Sequence, residues 1–172
     1  LGFSEPELVE AAITQLRTLP FYHSFAGKAV NPAIDLAEML VKSAPPAGHN
    51  SKMSKVYFAA SGSEANDTAI KMVWYYHAAR GKPEKRKIIS RKRGYHGVTI
   101  AAASMTALPY AQNGFGLPLD FVKHTLTPDY YNGAQNTESE ADFVSRCANE
   151  LEALILAEGP ETVGALFAEP VM

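Results

Sequence analysis

From Lys55 onward, short apolar segments of strand type alternate with longer segments of helical composition. The strand-like segments are residues 56–59, 88–90, 121–124 and 163–168, and the helical ones are residues 64–80, 97–105 and a segment capped at 137–140. Strands joined through helices need crossover connections, which make neighbouring strands parallel. The sequence therefore predicts an α/β fold with a partial, mainly parallel sheet flanked by helices.

Two amphipathic helices are predicted before this alternation. Ser4-Glu5-Pro6-Glu7 has the form of a capping box, and apolar residues follow it at helical spacing. Asn31-Pro32 begins a second helix, which Pro45-Pro46 ends, and the polar residues 47–53 form a linker. We therefore divide the chain into a helical N-terminal segment at 1–50 and a sheet domain at 51–172. Because the last strand-like segment lies close to residue 172, we expect this domain to be incomplete.

Composition restricts the possible partners. The formal net charge is −2, and basic residues cluster only at 82–93, which favours a solvated surface over a nucleic-acid site. The single cysteine, Cys147, excludes a disulfide framework within one chain, and no zinc-type spacing of cysteine and histidine occurs. With no signal peptide and no apolar stretch of membrane-spanning length, the sequence predicts a cytoplasmic protein without a metal site or a membrane contact.

Ser61-Gly62-Ser63 lies where the strand-like segment 56–59 gives way to the helical segment 64–80. A glycine at this point lets an anion approach the backbone. The first amides of a helix have no acceptor within it, and the helix dipole favours negative charge there. These residues predict an anion site, although an ordinary N-cap is the alternative.

Two further segments follow predicted strands. Gly94-Tyr95-His96-Gly97 comes after the second and Glu169 after the last, so all three features are expected at the carboxyl edge of the sheet, where ligands gather. The ring of Tyr95 can lie flat on a planar ligand or simply cover the sheet. We favour a supporting, hydrogen-bonded role for His96 over a catalytic base, because the sequence places no carboxylate to orient it. Glu169 is a candidate functional carboxylate, with a solvated strand end as the alternative.

Taken together, these motifs resemble the class III (omega-type) aminotransferases, which use pyridoxal 5'-phosphate (PLP) on the type I fold. The motifs are Ser61-Gly62-Ser63-Glu64-Ala65-Asn66-Asp67, then Ile88-Ile89-Ser90-Arg91 leading to Gly94-Tyr95-His96-Gly97, then Ala168-Glu169-Pro170. Leu19-Pro20-Phe21-Tyr22 with Phe25, and Pro83-Glu84-Lys85, resemble the family's amine:pyruvate branch. The resemblance runs over essentially the whole chain, but covers only the N-terminal segment and the first half of a family subunit's large domain.

The resemblance implies a homodimeric enzyme that transfers an amino group from an amine or amino acid to a keto acid such as pyruvate. It implies that Ser61, Gly62 and Ser63 hold the cofactor phosphate, through the amides of Gly62 and Ser63 and the Ser63 hydroxyl. Tyr95 would stack on the pyridine ring, with His96 and Glu169 beside it. Three aromatic residues would cross the dimer interface toward the partner's substrate pocket, with plain packing as the alternative: Phe21, Tyr22 and Phe25.

No catalytic residue is assigned within this chain. The resemblance places the lysine that binds PLP covalently after residue 172, and Lys55, Lys71 and Lys92 are expected to be solvated. We therefore expect the chain alone to be inactive. Another type I PLP enzyme (a decarboxylase, racemase or aminomutase) and a non-catalytic half-domain used for binding or assembly are the alternatives.

Overall fold

The computed structural model describes residues 2–45 and 52–171. It divides the chain into two compact units, Leu1–Tyr57 and Phe58–Met172. Most of the predicted linker at 47–53, and the predicted boundary between residues 50 and 51, lie outside the described residues. No helix of the described chain is long and apolar enough to cross a membrane.

The first unit contains two helices, α1 (Pro6–Thr18) and α2 (Asn31–Ser43). Each has a proline in its first turn, where the missing N–H leaves nothing unsatisfied and the ring presets the helical φ. The predicted capping box of α1 is wrong: the N-cap is Glu5, no side chain caps the helix, and Ser4 has a φ of 57°. Because the helix begins at Pro6, Ser4 lies one residue too early to cap it.

The second unit alternates helices and strands. Its helices are α3 (Gly62–Ala79), α4 (Ile100–Met105), α5 (Pro109–Gln112), α6 (Tyr130–Gly133) and α7 (Glu140–Glu158). Its strands are β1 (Lys87–Arg91), β2 (Val122–Thr125) and β3 (Val163–Leu166). The predicted α/β class with a partial parallel sheet is confirmed.

The three strands form one parallel sheet in the order β2-β1-β3. Ile88 pairs with Val122 on one side and with Ala165 on the other. The central strand is fully enclosed: Ile88, Ile89 and Ser90 are all buried. Since the strands are parallel, the segments that follow them leave the sheet at one edge.

A small apolar core joins α3 and α4 to this sheet. Ile70 of α3, Ile88 of β1, Met105 of α4 and Val122 of β2 are its buried members. Partly buried residues pack around them, including the indole of Trp74, which meets Phe121 edge-on with ring centroids 5.3 Å apart. This packing fixes α3 and α4 relative to the sheet, and thereby fixes the segments between them.

The structure corrects three local predictions. Residues 56–59 form no strand: the sheet of the described chain consists of β1, β2 and β3, and none of these pairs with this segment. Helix α4 begins at Ile100 rather than at residue 97. The cap of α7 is Ser139, whose Oγ accepts from the amide of Asp142 at 3.2 Å, whereas Thr137 has a positive φ of 67°.

Candidate functional site

The start of α3 is built by a capping box. Ser61 Oγ accepts from the amide of Glu64 at 3.2 Å, and Glu64 Oε2 accepts from the amide of Ala60 at 2.9 Å. The side chain of Ser61 is therefore an N-cap, the alternative left open by the sequence. No other heavy atom lies within 4 Å of the position that a Cβ would occupy on Gly62. The first turn of an 18-residue helix thus presents its amides at an open surface.

Ser63 joins this turn to the loop after β1. Its Oγ accepts from the amide of Val98 at 3.0 Å, and Gly97 lies so close that an added Cβ would be 2.4 Å from the same oxygen. Gly97 has a φ of 130°, which L side chains rarely adopt. The Ser63 hydroxyl keeps its own proton to donate. This contact also explains why α4 starts three residues late, since Gly97 and Val98 are held against α3.

Two further side chains of α3 fix the same loop. Asn66 Nδ2 donates to the carbonyl of His96 at 2.7 Å. Asp67 Oδ1 accepts from Thr99 Oγ1 at 2.9 Å and from the amide of Ala102 at 3.1 Å, so it caps the start of α4. The helix therefore positions the part of the loop that follows Tyr95.

His96 and Glu169 meet although they are far apart in the sequence. Their atoms Nε2 and Oε1 are 3.1 Å apart, and the side chains are only 9% and 18% exposed. The pair is not aligned as a hydrogen bond: neither His96 Nε2 nor either carboxylate oxygen of Glu169 has a hydrogen-bond partner in the described chain. A carboxylate does therefore lie beside His96, contrary to the sequence-based expectation. Three polar atoms are left there for a further donor or acceptor.

Burial controls the charge of this histidine. Desolvation lowers the pKa of His96, and the nearby Glu169 carboxylate raises it by less. Burial lowers the pKa of His124 on β2 as well, and His96 acts in the same direction. Both imidazoles are therefore neutral at pH 7, so the ring of His96 can donate or accept a hydrogen bond.

Glu169 is held by the loop after β1. Arg91 Nη1 donates to the main-chain carbonyl of Glu169 at 2.5 Å. The Glu169 carboxylate lies against the backbone of Gly94, where an added Cβ would be 2.3 Å from Glu169 Oε1. Gly94 is therefore required for close approach, and the parallel pairing of β1 with β3 brings the two segments together.

Tyr95 directly precedes His96, and 58% of its surface is exposed. An exposed ring on a loop that contacts both the start of α3 and the Glu169 carboxylate can bind a planar ligand that carries an anionic group.

The structure thus joins Ser63 and Glu169 to the loop that carries Tyr95 and His96, and Ser61 and Gly62 lie in the same helix start as Ser63. The other three predicted residues belong to the first unit, between α1 and α2, where Phe21, Tyr22 and Phe25 are exposed.

Asn66, Asp67 and Thr106, whose Oγ1 accepts from the amide of His96 at 2.8 Å, contribute to the site without having been singled out from the sequence. Ser63, Asn66 and Asp67 share a helical spacing with the buried Ile70, so a polar patch on the packed face of α3 was the available signal. Thr106 carries no such signal. Within residues 2–45 and 52–171, no cluster of three or more His, Cys, Asp or Glu side chains could hold a metal ion.

Comparison with known proteins assigns the family. The sequence model of the protein family "Aminotransferase class-III" matches residues 1–172. The chain belongs to this family. It is 50% identical over its full length to gamma aminobutyrate transaminase 1, mitochondrial, of Solanum lycopersicum, and covers 33% of that protein. It is 51% identical to vanillin aminotransferase of Capsicum chinense, of which it covers 37%.

Solved structures agree with this class-III aminotransferase assignment. The omega transaminase from Pseudomonas jessenii in complex with PMP superposes on the whole chain with a TM-score of 0.95 at 54% identity, and the chain covers 37% of it. The chain therefore spans about a third of the length of the relatives that it matches.

Proposed function

We propose that this chain is the part of a PLP-dependent transaminase subunit that binds the cofactor's phosphate and stacks on its ring. The observation that supports this most directly is that the loop carrying the exposed Tyr95 contacts both the open first turn of α3 and the Glu169 carboxylate. PLP has matching chemistry, because it is a planar ring that bears an anionic phosphate.

In this proposal, each residue has a distinct task. The amides of Gly62 and Ser63, with the remaining proton of the Ser63 hydroxyl, donate to the phosphate. The Tyr95 ring covers one face of the pyridine, and Glu169 accepts a hydrogen bond beside it. His96 stays neutral at pH 7 and shields the Glu169 carboxylate from water on its buried side.

When bound, PLP supplies the electron sink that lets an amino group leave one carbon and join another. We propose an amine or amino acid as donor and a keto acid such as pyruvate as acceptor. The relatives' names, gamma aminobutyrate transaminase and vanillin aminotransferase, support a primary amine or its carbonyl counterpart as substrate. We place the enzyme in the cytoplasm, in keeping with its single cysteine, whereas the relative named mitochondrial points to an organelle as the alternative.

The function is tested with the full-length polypeptide that contains this chain. The absorbance of bound PLP should change on addition of an amine and return on addition of pyruvate, with one alanine formed for each amine consumed. Release of carbon dioxide, or inversion of an amino acid without transfer to pyruvate, would contradict transamination and support a decarboxylase or a racemase.

Tyr95→Ala in the full-length enzyme is expected to weaken PLP binding. Stacking contributes about 0.5–1.5 kcal/mol beyond area burial, so Kd should rise about two- to tenfold. Tyr95→Phe should restore binding, because the ring face makes the contact. The fold should survive, since most of the Tyr95 side chain is exposed. Equilibrium dialysis against PLP measures the effect, and equal affinities of the wild type and Tyr95→Ala would reject the stacking role.

We also propose a homodimer, in which Phe21, Tyr22 and Phe25 contact the partner. These aromatic residues are exposed within one short connection, and Phe25 is 79% exposed. Exposed apolar patches of this kind mark interfaces. Phe25→Asp in the full-length protein should shift sedimentation toward monomer. Thr14→Asp, on an exposed polar position of α1, is the control, and equal dimer content in all three proteins would contradict the role of Phe25.

A further inference from the structure

The orientation of Tyr95 depends on the two peptide planes that flank its Cα atom. The peptide plane between Gly94 and Tyr95 is fixed by a hydrogen bond from the amide of Ala107 to the carbonyl of Gly94 at 3.1 Å. The peptide plane between Tyr95 and His96 is fixed by a hydrogen bond from the amide of His96 to Thr106 Oγ1 at 2.8 Å. The first bond joins two main-chain groups, whereas the second depends on a side chain.

Thr106 is built into the core rather than the surface. It is fully buried directly after α4, and its Oγ1 lies 3.1 Å from the carbonyls of both Gly97 and Ala102. The hydroxyl proton is directed at these two carbonyls, so the lone pairs are free to accept from His96. A buried amide that loses such an acceptor stays without a partner, which is costly enough to move the loop.

We infer that Thr106 is a positioning residue for the cofactor ring, acting through the His96 amide to set the direction of Tyr95. Asn66 holds the peptide group that follows His96, because its Nδ2 donates to the His96 carbonyl. Thr106 itself is separated from the ligand by the loop that it holds. The inference rests on the proposed stacking of Tyr95 on PLP.

The experiment compares Thr106→Val, which keeps the shape but removes the hydroxyl, with Thr106→Ser, which keeps the hydroxyl. The matched control is Thr125→Val, because Thr125 is also buried but its Oγ1 has no hydrogen-bond partner in the described chain. All variants are made in the full-length enzyme. The measurements are the Kd of PLP and the hydrogen-exchange rate of the His96 amide in the PLP-free form.

Thr106→Val is expected to raise the Kd of PLP by about two- to fivefold, less than Tyr95→Ala does, since it misdirects the ring without removing it. The His96 amide should exchange faster, whereas Thr106→Ser and Thr125→Val should behave as wild type. In a Tyr95→Ala background, Thr106→Val should cause no further rise in Kd. A general loss of structure would instead add to the effect of Tyr95→Ala.

Each outcome is decisive. If Tyr95→Ala leaves the Kd unchanged, the proposed stacking fails. If Tyr95→Ala weakens binding but Thr106→Val does not, or if the two effects add, the role of Thr106 is rejected while stacking stands. Should Thr106→Val fail to fold, Thr106→Ala provides the same comparison. A His96 amide that exchanges freely in the wild type would overturn the inference without any variant.

Discussion

The polypeptide of residues 1–172, expressed alone, is expected to show no transamination above that of free PLP. A lysine that binds PLP covalently is activated by desolvation or by a neighbouring cation. Three lysines considered from the sequence are not desolvated in the structure: Lys55, Lys71 and Lys92 are all exposed. In the role proposed above, the residues of the site orient a phosphate and a ring, but orientation without the nucleophile leaves the exchange without its covalent route.

A transamination assay combined with covalent trapping tests whether residues 1–172 are inactive. Residues 1–172, purified free of longer chains, are incubated with PLP, an amine and pyruvate, and then treated with borohydride. We expect alanine formation at the rate of free PLP and no lysine adduct at a single position. The full-length enzyme is the positive control and should show both. Stereoselective turnover by residues 1–172 alone would contradict the prediction and require a catalytic lysine within this chain.

Gly97→Ala is expected to lower the free energy of unfolding of the full-length protein by about 2–6 kcal/mol. Overpacking typically costs about 1–3 kcal/mol, and a backbone conformation unsuited to L side chains costs about as much again. Both apply here, because an added Cβ would lie 2.4 Å from Ser63 Oγ and 2.9 Å from Ser63 Cα, at a φ of 130°. The start of α3 cannot move away from the loop without losing the hydrogen bonds of Ser63 to Val98 and of Asn66 to His96. PLP binding should therefore weaken along with stability.

Gly81→Ala is the matched control for this variant. Gly81 also has a positive φ, 71°, but no atom lies within 4 Å of its added Cβ. Gly81→Ala should therefore lower the free energy of unfolding only by the cost of the backbone conformation, about 1–2 kcal/mol. Urea denaturation compares the two proteins. If both substitutions cost the same, crowding against Ser63 contributes nothing, and the close approach of the loop to α3 is not what requires a glycine at position 97.

The elements that the sequence predicts well are those with strong local signals. Helix α2 lies between Asn31-Pro32 and Pro45, and α3 has a capping box and a glycine after its end. The apolar segments near residues 88, 122 and 163 form β1, β2 and β3 as expected. Proline, glycine and hydrophobic spacing act over a few residues, so one sequence suffices to interpret them.

The sequence-based predictions fail where the local structure depends on contacts with residues that are distant in the chain. Residues 56–59 have strand composition, yet a strand also needs a neighbour. The late start of α4 depends on the contact of Ser63 with Val98, and the burial of His96 beside Glu169 depends on the pairing of β1 with β3. The sequence indicates which residues reach the edge of the sheet. It does not indicate that Thr106 holds the loop.

The contact between His96 and Glu169 also limits when the site can form during synthesis. Ser63 and Glu169 are about 100 residues apart along the chain. At about 5–20 residues per second, a ribosome completes the helix start some 5–20 s before it adds the carboxylate. Throughout that interval the loop carrying Tyr95 lacks β3 and its Glu169 contact, so His96 gains its buried neighbour only after β3 has been translated.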